Sequence, residues 1–336
     1  MMSVEHSNHD AILSVFKEVI AETIKSARSA TKSPSKRREA AVVIPSKTLK
    51  SLKGYRMIRP MPKDPQDLSK VLDVEAEERL LTALPFHLKK IGIKEFIVLS
   101  EERGVLIYPE DSQYNGTGLI YLILIDPIDS TDLALMSFGG AVAVTAAFMS
   151  DGKAEIVTAV VGDLTRNEIF WAVKGQDGAF VDYGNDKQTE KLQPNSSVPW
   201  EKIKLSSFSA KINRFEAFCS KKQLIQQLDK NEARVVLHHG GPLPVCRVAA
   251  GDIDAVVEFD KGYKAIDYSG ALFLADKAGA KVKFYGENQP CDASHLVIGN
   301  GDTFKEKLLN TLIRRQRFIC AANEVVLSYC KQFFSL

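Results

Sequence analysis

A strand of buried character that ends in acid is the tightest constraint in this sequence. Tyr121–Asp132 reads YLILIDPIDSTD. Its first five residues form a compact apolar run rich in Ile and Leu, which suits a buried strand and is too short to cross a membrane. Proline removes a ladder donor and fixes φ, so the pattern predicts that the strand cannot simply continue past Asp126 and Pro127. Two carboxylates, Asp126 and Asp129, brought to the end of a buried strand are costly unless something positive meets them. Carboxylate oxygens and a backbone carbonyl suit a hard cation such as Mg²⁺. Taken alone, the same residues also suit an Asx-type turn that caps the next segment.

The bulk properties set wide bounds. A chain of 336 residues suits one large or two closely packed domains with an ample core. Forty-four Lys and Arg against 42 Asp and Glu leave a net charge of +2, which argues neither for nor against a polyanionic partner. The five cysteines are scattered, with no C-x-x-C pair, and read as reduced thiols. MMSVEHSNHD has no basic stretch followed by an apolar core, and no apolar window approaches membrane length. The expectation is a cytoplasmic protein with no membrane segment and no nucleic-acid polymer as partner.

Along the chain, Ile12, Val15, Phe16, Val19, Ile20 and Ile24 recur at helical spacing and predict an amphipathic helix over 10–27. The polar stretch that follows holds Lys32, Lys36, Arg37 and Arg38, and reads as a solvated surface loop or, alternatively, a basic flap over an anionic substrate. Prolines keep the chain irregular up to Gln66, with short strands around 42–44 and 55–58. A second helix is predicted over 69–88, with Asp73 and Glu77 one turn apart. EFIVL at 95–99 is a second buried-type strand ending in acid, at Glu101 and Glu102. Three β-type segments after Gly140 predict an antiparallel meander, and 182–199 reads as a loop or domain boundary.

The second half opens with a strand at 203–207, a helix over 214–228 and a strand at 234–237. His238 and His239 have no third nitrogen or sulfur ligand at useful spacing. The Gly240-Gly241-Pro242 start of the next helix exposes amides that attract anions. A helix then runs into a strand at 255–259, and Asp267 precedes a helix rich in small residues. The tail, 303–336, reads as helical, with Arg314, Arg315 and Arg317 as a solvated basic face.

DPIDST resembles the D-P-x-D-x-T signature of the inositol monophosphatase superfamily, the Mg²⁺-dependent, lithium-sensitive phosphatases. That superfamily includes fructose-1,6-bisphosphatases and 3′(2′),5′-bisphosphate nucleotidases. D-V-E-A-E at 73–77 is similar to its D-x-x-x-E helix, S-E-E at 100–102 to its G-E-E, and KAIDYSG at 264–270 to its W-D-x-A-A-G. The resemblance spans residues 70–300, with these separated acidic motifs in the family's order. Departures are Ile266 for the usual Trp, Tyr268-Ser269 for small residues, Ser130 for a common Gly, and Pro242 and Pro244 in their helix.

The resemblance implies a layered αβαβα sandwich. An α+β half, 1–185, carries DPIDST, an α/β half, 186–336, carries Asp267, and the active site lies between. It implies one Mg²⁺ on Glu101, Asp126 and the Ile128 carbonyl, a second on Asp126, Asp129 and Asp267, and a weaker third at Glu101. Thr131, with Asp73 behind it, orients a water, and the amides of Ser130 and Thr131 hold the phosphate. Thr131, Asp73 and Glu101 form the catalytic set. Gly240, Gly241 and Glu258, with Ser206-Ser207, face the alcohol. The expected activity is hydrolysis of a small polyol, inositol or sugar phosphate. A bisphosphate nucleotidase or fructose bisphosphatase is the alternative, and a non-catalytic metal-binding regulator the reading from another class. Pairing as a homodimer stays open.

Overall fold

The computed structural model describes residues 2–44, 49, 51–62, 69–184, 188–197, 202–207, 212–237, 241–286 and 292–334. The chain starts with helices α1 (Met2–Thr31) and α2 (Pro34–Ala40), then β1 (Val43–Ile44), β2 (Arg56–Arg59) and β3 (Ser69–Lys70). Helix α3 (Val71–Lys90) leads into β4 (Phe96–Ser100), β5 (Gly104–Tyr108) and β6 (Ile120–Asp129), and one short helix follows, α4 (Thr131–Met136). Five strands come next: β7 (Ala141–Ser150), β8 (Lys153–Asp163), β9 (Glu168–Val173), β10 (Phe180–Tyr183) and β11 (Gln188–Lys191).

The rest of the chain builds a second sheet and its helices. Strand β12 (Lys204–Ser207) is followed by α5 (Ile212–Cys219), α6 (Lys222–Lys230) and β13 (Arg234–Leu237). Then come α7 (Pro242–Ala249), β14 (Ala255–Lys264), α8 (Ala265–Ala278), β15 (Lys281–Tyr285) and β16 (His295–Leu296). Helix α9 (Phe304–Ile313), β17 (Arg315–Ala321) and α10 (Glu324–Phe333) close it.

The large sheet has the order β11-β10-β9-β8-β7-β6-β4-β5-β2, with β16 paired to β8. The smaller runs β13-β12-β14-β17-β15. Alternation along the strands sorts their side chains into three cores. Ile123 and Ile125 of β6 pack with α1 and α3, whereas Leu122 and Leu124 point into the layer that holds α7, α8 and α9. Val256, Phe318 and Cys320 reach that same layer from the small sheet. Val257, Ile319 and Ala321 face α5, α6 and α10. The result is the αβαβα sandwich.

Four local expectations are corrected. The polar stretch after α1 is not a loop. The side chain of Ser33 accepts from Lys36 N at 3.4 Å and Pro34 sits in the first turn, so an N-cap and a pre-set φ start α2 there. The helix expected over 214–228 is two, broken where Ser220 Oγ donates back to the Ala217 carbonyl at 2.7 Å. Residues 188–191 form β11, exposed throughout and therefore without the alternation that marks a half-buried strand. The basic tail contains β17, which inserts between β14 and β15, and Arg315 Nη1 donates to the Gly262 carbonyl at 3.0 Å.

Helix α8 lies against β7 and β8 at Gly270. A Cβ built there would stand 2.0 Å from Thr145 Oγ1 and 3.2 Å from the Ala159 Cβ. Gly270→Ala is therefore expected to lower stability by about 1–3 kcal/mol, more than offsetting alanine's helix advantage of about 1 kcal/mol. Urea unfolding should show a lower midpoint at an unchanged slope. A midpoint equal to or above that of the unsubstituted protein would show that the helix has room to move.

Candidate active site

Strands β4 and β6 run parallel, with Ser100 opposite Ile125, so adjacent strands inside the large sheet release their acidic ends side by side. Glu101 N donates to the Ile125 carbonyl at 3.3 Å, which ties the two ends together. Beyond Asp126 the strand does not stop. The ladder to β7 shifts register between Asp126 and Asp129, so Pro127 and Ile128 form a bulge and pairing resumes opposite Ala141. The bulge accommodates the missing proline donor and turns Asp129 toward α4.

Two helix N-termini complete the acidic set. Asp73 occupies the third position of α3, and its Oδ2 accepts from Lys70 N at 3.1 Å. Asp267 holds the same position in α8 and accepts from Lys264 N at 3.1 Å. Each carboxylate satisfies an orphan amide and faces the positive end of its helix. Asp129 is met from the other side by Gly241, the N-cap of α7 with φ +86°. A Cβ on Gly241 would lie 1.9 Å from Asp129 Oδ2, so no other residue fits there.

Asp126 is 1% exposed, and neither of its carboxylate oxygens has a hydrogen-bond partner. Burial pushes its pKa well above the ordinary range, and the charges of Glu101, Asp129 and Asp267 push it further. Asp129 is raised by burial and then by Asp267, against a hydrogen bond from Ser130 Oγ at 2.8 Å. Burial and Glu101 lift Asp267 to about 7. The four acids therefore meet as neighbouring like charges. Among the described residues they are not drawn into a closed cage of three ligands. Lys264 Nζ lies 3.4 Å from Glu101 Oε1 and supplies part of the missing positive charge.

Beside this cluster, Thr131 Oγ1 donates to Asp73 Oδ1 at 2.6 Å and lies 3.1 Å from the Ile128 carbonyl. Asp73 is buried and raised to about 7, first by burial and then, against the hydrogen bond from Thr131, by Glu102 and Glu101. Ser130 stands in the left-handed region at φ 59°, which turns the chain from β6 into α4. Glu77 takes another role. It is fully buried and paired with Arg103 Nε at 3.1 Å, and Ser100 Oγ donates to it, so it joins α3 to the β4–β5 turn.

On the side of the alcohol expected in a substrate, Glu258 is buried and its oxygens are already engaged. Asp260 N and Gly262 N donate to Oε1 at 3.1 and 3.0 Å, and Arg214 Nη1 lies 3.3 Å from Oε2. Arg214 also covers the Tyr263 ring at 5.4 Å. Burial raises the Tyr263 pKa well above the ordinary range, and the charges of Glu258, Asp129 and Asp267 push it further. Ser206 and Ser207 are buried in β12. Gly240, His238 and His239 lie outside the described residues. Sequence reasoning passed over Lys264 and Arg214. The spacing K-x-x-D at Lys70–Asp73, repeated at Lys264–Asp267, was the available signal for the first. None marks Arg214, which α5 brings in from 44 positions away.

Comparison with known proteins bears on the fold and the family. The Nus factor SuhB of Pseudomonas aeruginosa is 26% identical over 268 residues, covering 78% of this chain and 89% of that protein. The extragenic suppressor protein suhB of Bartonella henselae superposes with a TM-score of 0.60 at 20% identity, covering 95% of this chain and 96% of the other. The MJ0109 gene product, inositol monophosphatase-fructose 1,6 bisphosphatase, gives 0.63 at 18% identity, covering 95% and 98%. These likenesses show the shared fold. The profile of the inositol monophosphatase family matches residues 14–319, nearly the whole length. The chain belongs to the inositol monophosphatase family.

Proposed function

We propose that this protein is a Mg²⁺-dependent phosphomonoesterase acting on a small polyol, inositol or sugar phosphate. The observation that carries the reading is Asp126, buried with both oxygens unpartnered, and crowded by three further acids beside the Thr131–Asp73 pair. Buried carboxylates of one sign are stable together when a cation meets them. An all-oxygen donor set suits Mg²⁺. Glu101, Asp126, Asp129, Asp267 and the Ile128 carbonyl would hold two or three such ions. Bound Mg²⁺ would supply charge neutralisation on the phosphate and lower the pKa of water.

The chain's own groups supply position and proton handling. Asp73 fixes the Thr131 hydroxyl at 2.6 Å, and that hydroxyl orients the attacking water. A carboxyl raised to about 7 behind it can take up a proton near neutrality. The amides of Ser130 and Thr131, at the turn into α4, face the phosphate oxygens. Gly241 leaves room for Asp129 where a side chain would collide with it.

A second reading concerns substrate choice. Arg214 stands beside Glu258 on the alcohol side, and a planar cation there favours a substrate with a second anionic group, as in a sugar or nucleoside bisphosphate. A non-catalytic regulatory role is the reading from another class, and one relative carries the name of a Nus factor.

A panel of phosphate monoesters and bisphosphates, assayed with Mg²⁺, decides among these. Phosphate release is expected to require Mg²⁺ and to be inhibited by Li⁺. Full activity in excess chelator would end the metal reading, and no release from any ester would favour the regulatory one. Thr131→Ala is expected to lower turnover on the order of 10²-fold or more while leaving Mg²⁺ affinity nearly unchanged by calorimetry. Loss of Mg²⁺ binding in that variant would make Thr131 part of the metal site instead.

Stability gives a third test. The raised carboxyls bind protons more tightly folded than unfolded. In chelator, the stability they contribute is therefore full below the unfolded value of about 4. It is lost as pH rises through about 7, where Asp73 and Asp267 ionise. Asp129→Asn should be at least as stable as the unsubstituted protein in chelator at pH 8, with the difference narrowing toward pH 5. The variant should also lose the rise in melting temperature on adding Mg²⁺. Equal destabilisation with and without Mg²⁺, by the 0.5–2 kcal/mol or so of a lost cap, would make Asp129 a turn residue only.

A further inference from the structure

A second pocket, of about 290 Å³, opens between the end of α1, α2 and the face of α4. None of the site acids lines it. Three cations do, Arg28, Lys32 and Arg37, and no carboxylate joins them. The side chains of Arg28 and Lys32 form no ion pair or hydrogen bond among the described residues. Arg37 is half-buried, and its Nη1 donates to Ser137 Oγ at 3.2 Å. That bond aims the guanidinium inward from α2 and fastens it to the left-handed C-cap of α4, where Ser137 has φ 63°.

A solvated basic rim would need no floor. This one has a floor of buried apolar side chains, including Leu72, Ala134 and Leu164. Arg28 and Lys32 are exposed and Arg37 half-buried, so water screens their mutual repulsion, and all three remain available to an anion that enters the pocket. A volume near 300 Å³ lies at the small end of ligand pockets, and such sites combine apolar walls with a few placed polar groups. Two guanidinium groups and an ammonium match a doubly charged phosphate better than a single carboxylate.

We infer that this pocket binds a small organic phosphate. Its head lies among Arg28, Lys32 and Arg37, and its apolar body rests on Leu72, Ala134 and Leu164. Leu72 immediately precedes Asp73, and Ala134 belongs to the helix that begins at Thr131. An occupant therefore touches both elements that hold the Thr131–Asp73 bond, the position of an effector rather than a substrate. The binding itself does not depend on the activity proposed above.

The test is calorimetric titration of the full chain with phenylphosphonate, whose C–P bond no phosphatase hydrolyses, in excess chelator so that the acid cluster repels anions. One saturable site is expected, with benzoate and inorganic phosphate binding more weakly. Arg28→Gln with Arg37→Gln should weaken binding on the order of tenfold or more, and Asp129→Asn should leave it unchanged. Should the double variant fail to show the melting transition of the unsubstituted protein, Lys32→Gln alone serves, with a smaller expected loss. Absence of saturable binding, binding retained in the cation variants, or binding lost in Asp129→Asn would each overturn the assignment.

Discussion

The crowding of Glu101, Asp129 and Asp267 around the buried Asp126 organises this molecule. Folding brings Glu101, Asp126, Asp129 and Asp267 together from two strand ends and one helix start, and beyond its burial Asp126 has its proton affinity raised by the other three. Such a cluster persists because the surrounding core over-determines it. The parallel β4–β6 pair fixes Glu101 against Asp126, and the bulge fixes Asp129 relative to both. Helices α3 and α8 offer Asp73 and Asp267 the favourable end of a dipole and an orphan amide each. The aliphatic layers on either side of the large sheet hold these pieces in place against the electrostatics.

Much of this was legible in the chain, because its signals are local. An apolar run that ends in acid can be read without knowing what surrounds it, and so can an aspartate three residues into a helix. The Thr131–Asp73 hydrogen bond, implied by family resemblance, is present at 2.6 Å. What stayed hidden depends on tertiary placement. Arg214 neutralises Glu258 only because α5 lies over β14, and nothing in the residues near Arg214 announces that contact. The run RFICA at 317–321 is apolar enough for either a buried strand or a helix, and periodicity does not separate the two. Helix α2 was readable from Ser33-Pro34, but the charge run around it carried the stronger surface-loop signal.

The low identity to the solved relatives sharpens what the fold requires. At 18–20% identity the layering is kept over almost the full length of each chain. The departures in this sequence fall where the layers tolerate them. Tyr268 and Ser269 are buried in the central layer beside Gly270, whose missing side chain leaves space for Thr145. Ser130 takes a left-handed turn that a glycine would adopt at lower cost, and its hydroxyl bonds Asp129 in return. A change that adds a polar contact at the site therefore carries its strain in the backbone turn beside it.

The position of β17 has a consequence for how the protein comes into being. This strand is the penultimate element of the chain, yet it lies inside the small sheet, with β14 on one side and β15 on the other. Until it arrives, β14 has an open edge, and β14 carries Glu258 and Tyr263 and ends at Lys264, the N-cap of the Asp267 helix. A nascent chain thus exposes an unpaired, largely apolar strand edge from the making of Lys264 until that of Arg315–Ala321. The small sheet is complete only after residue 321 has been made, whereas β2 to β11 of the large sheet precede it and only β16 joins that sheet late.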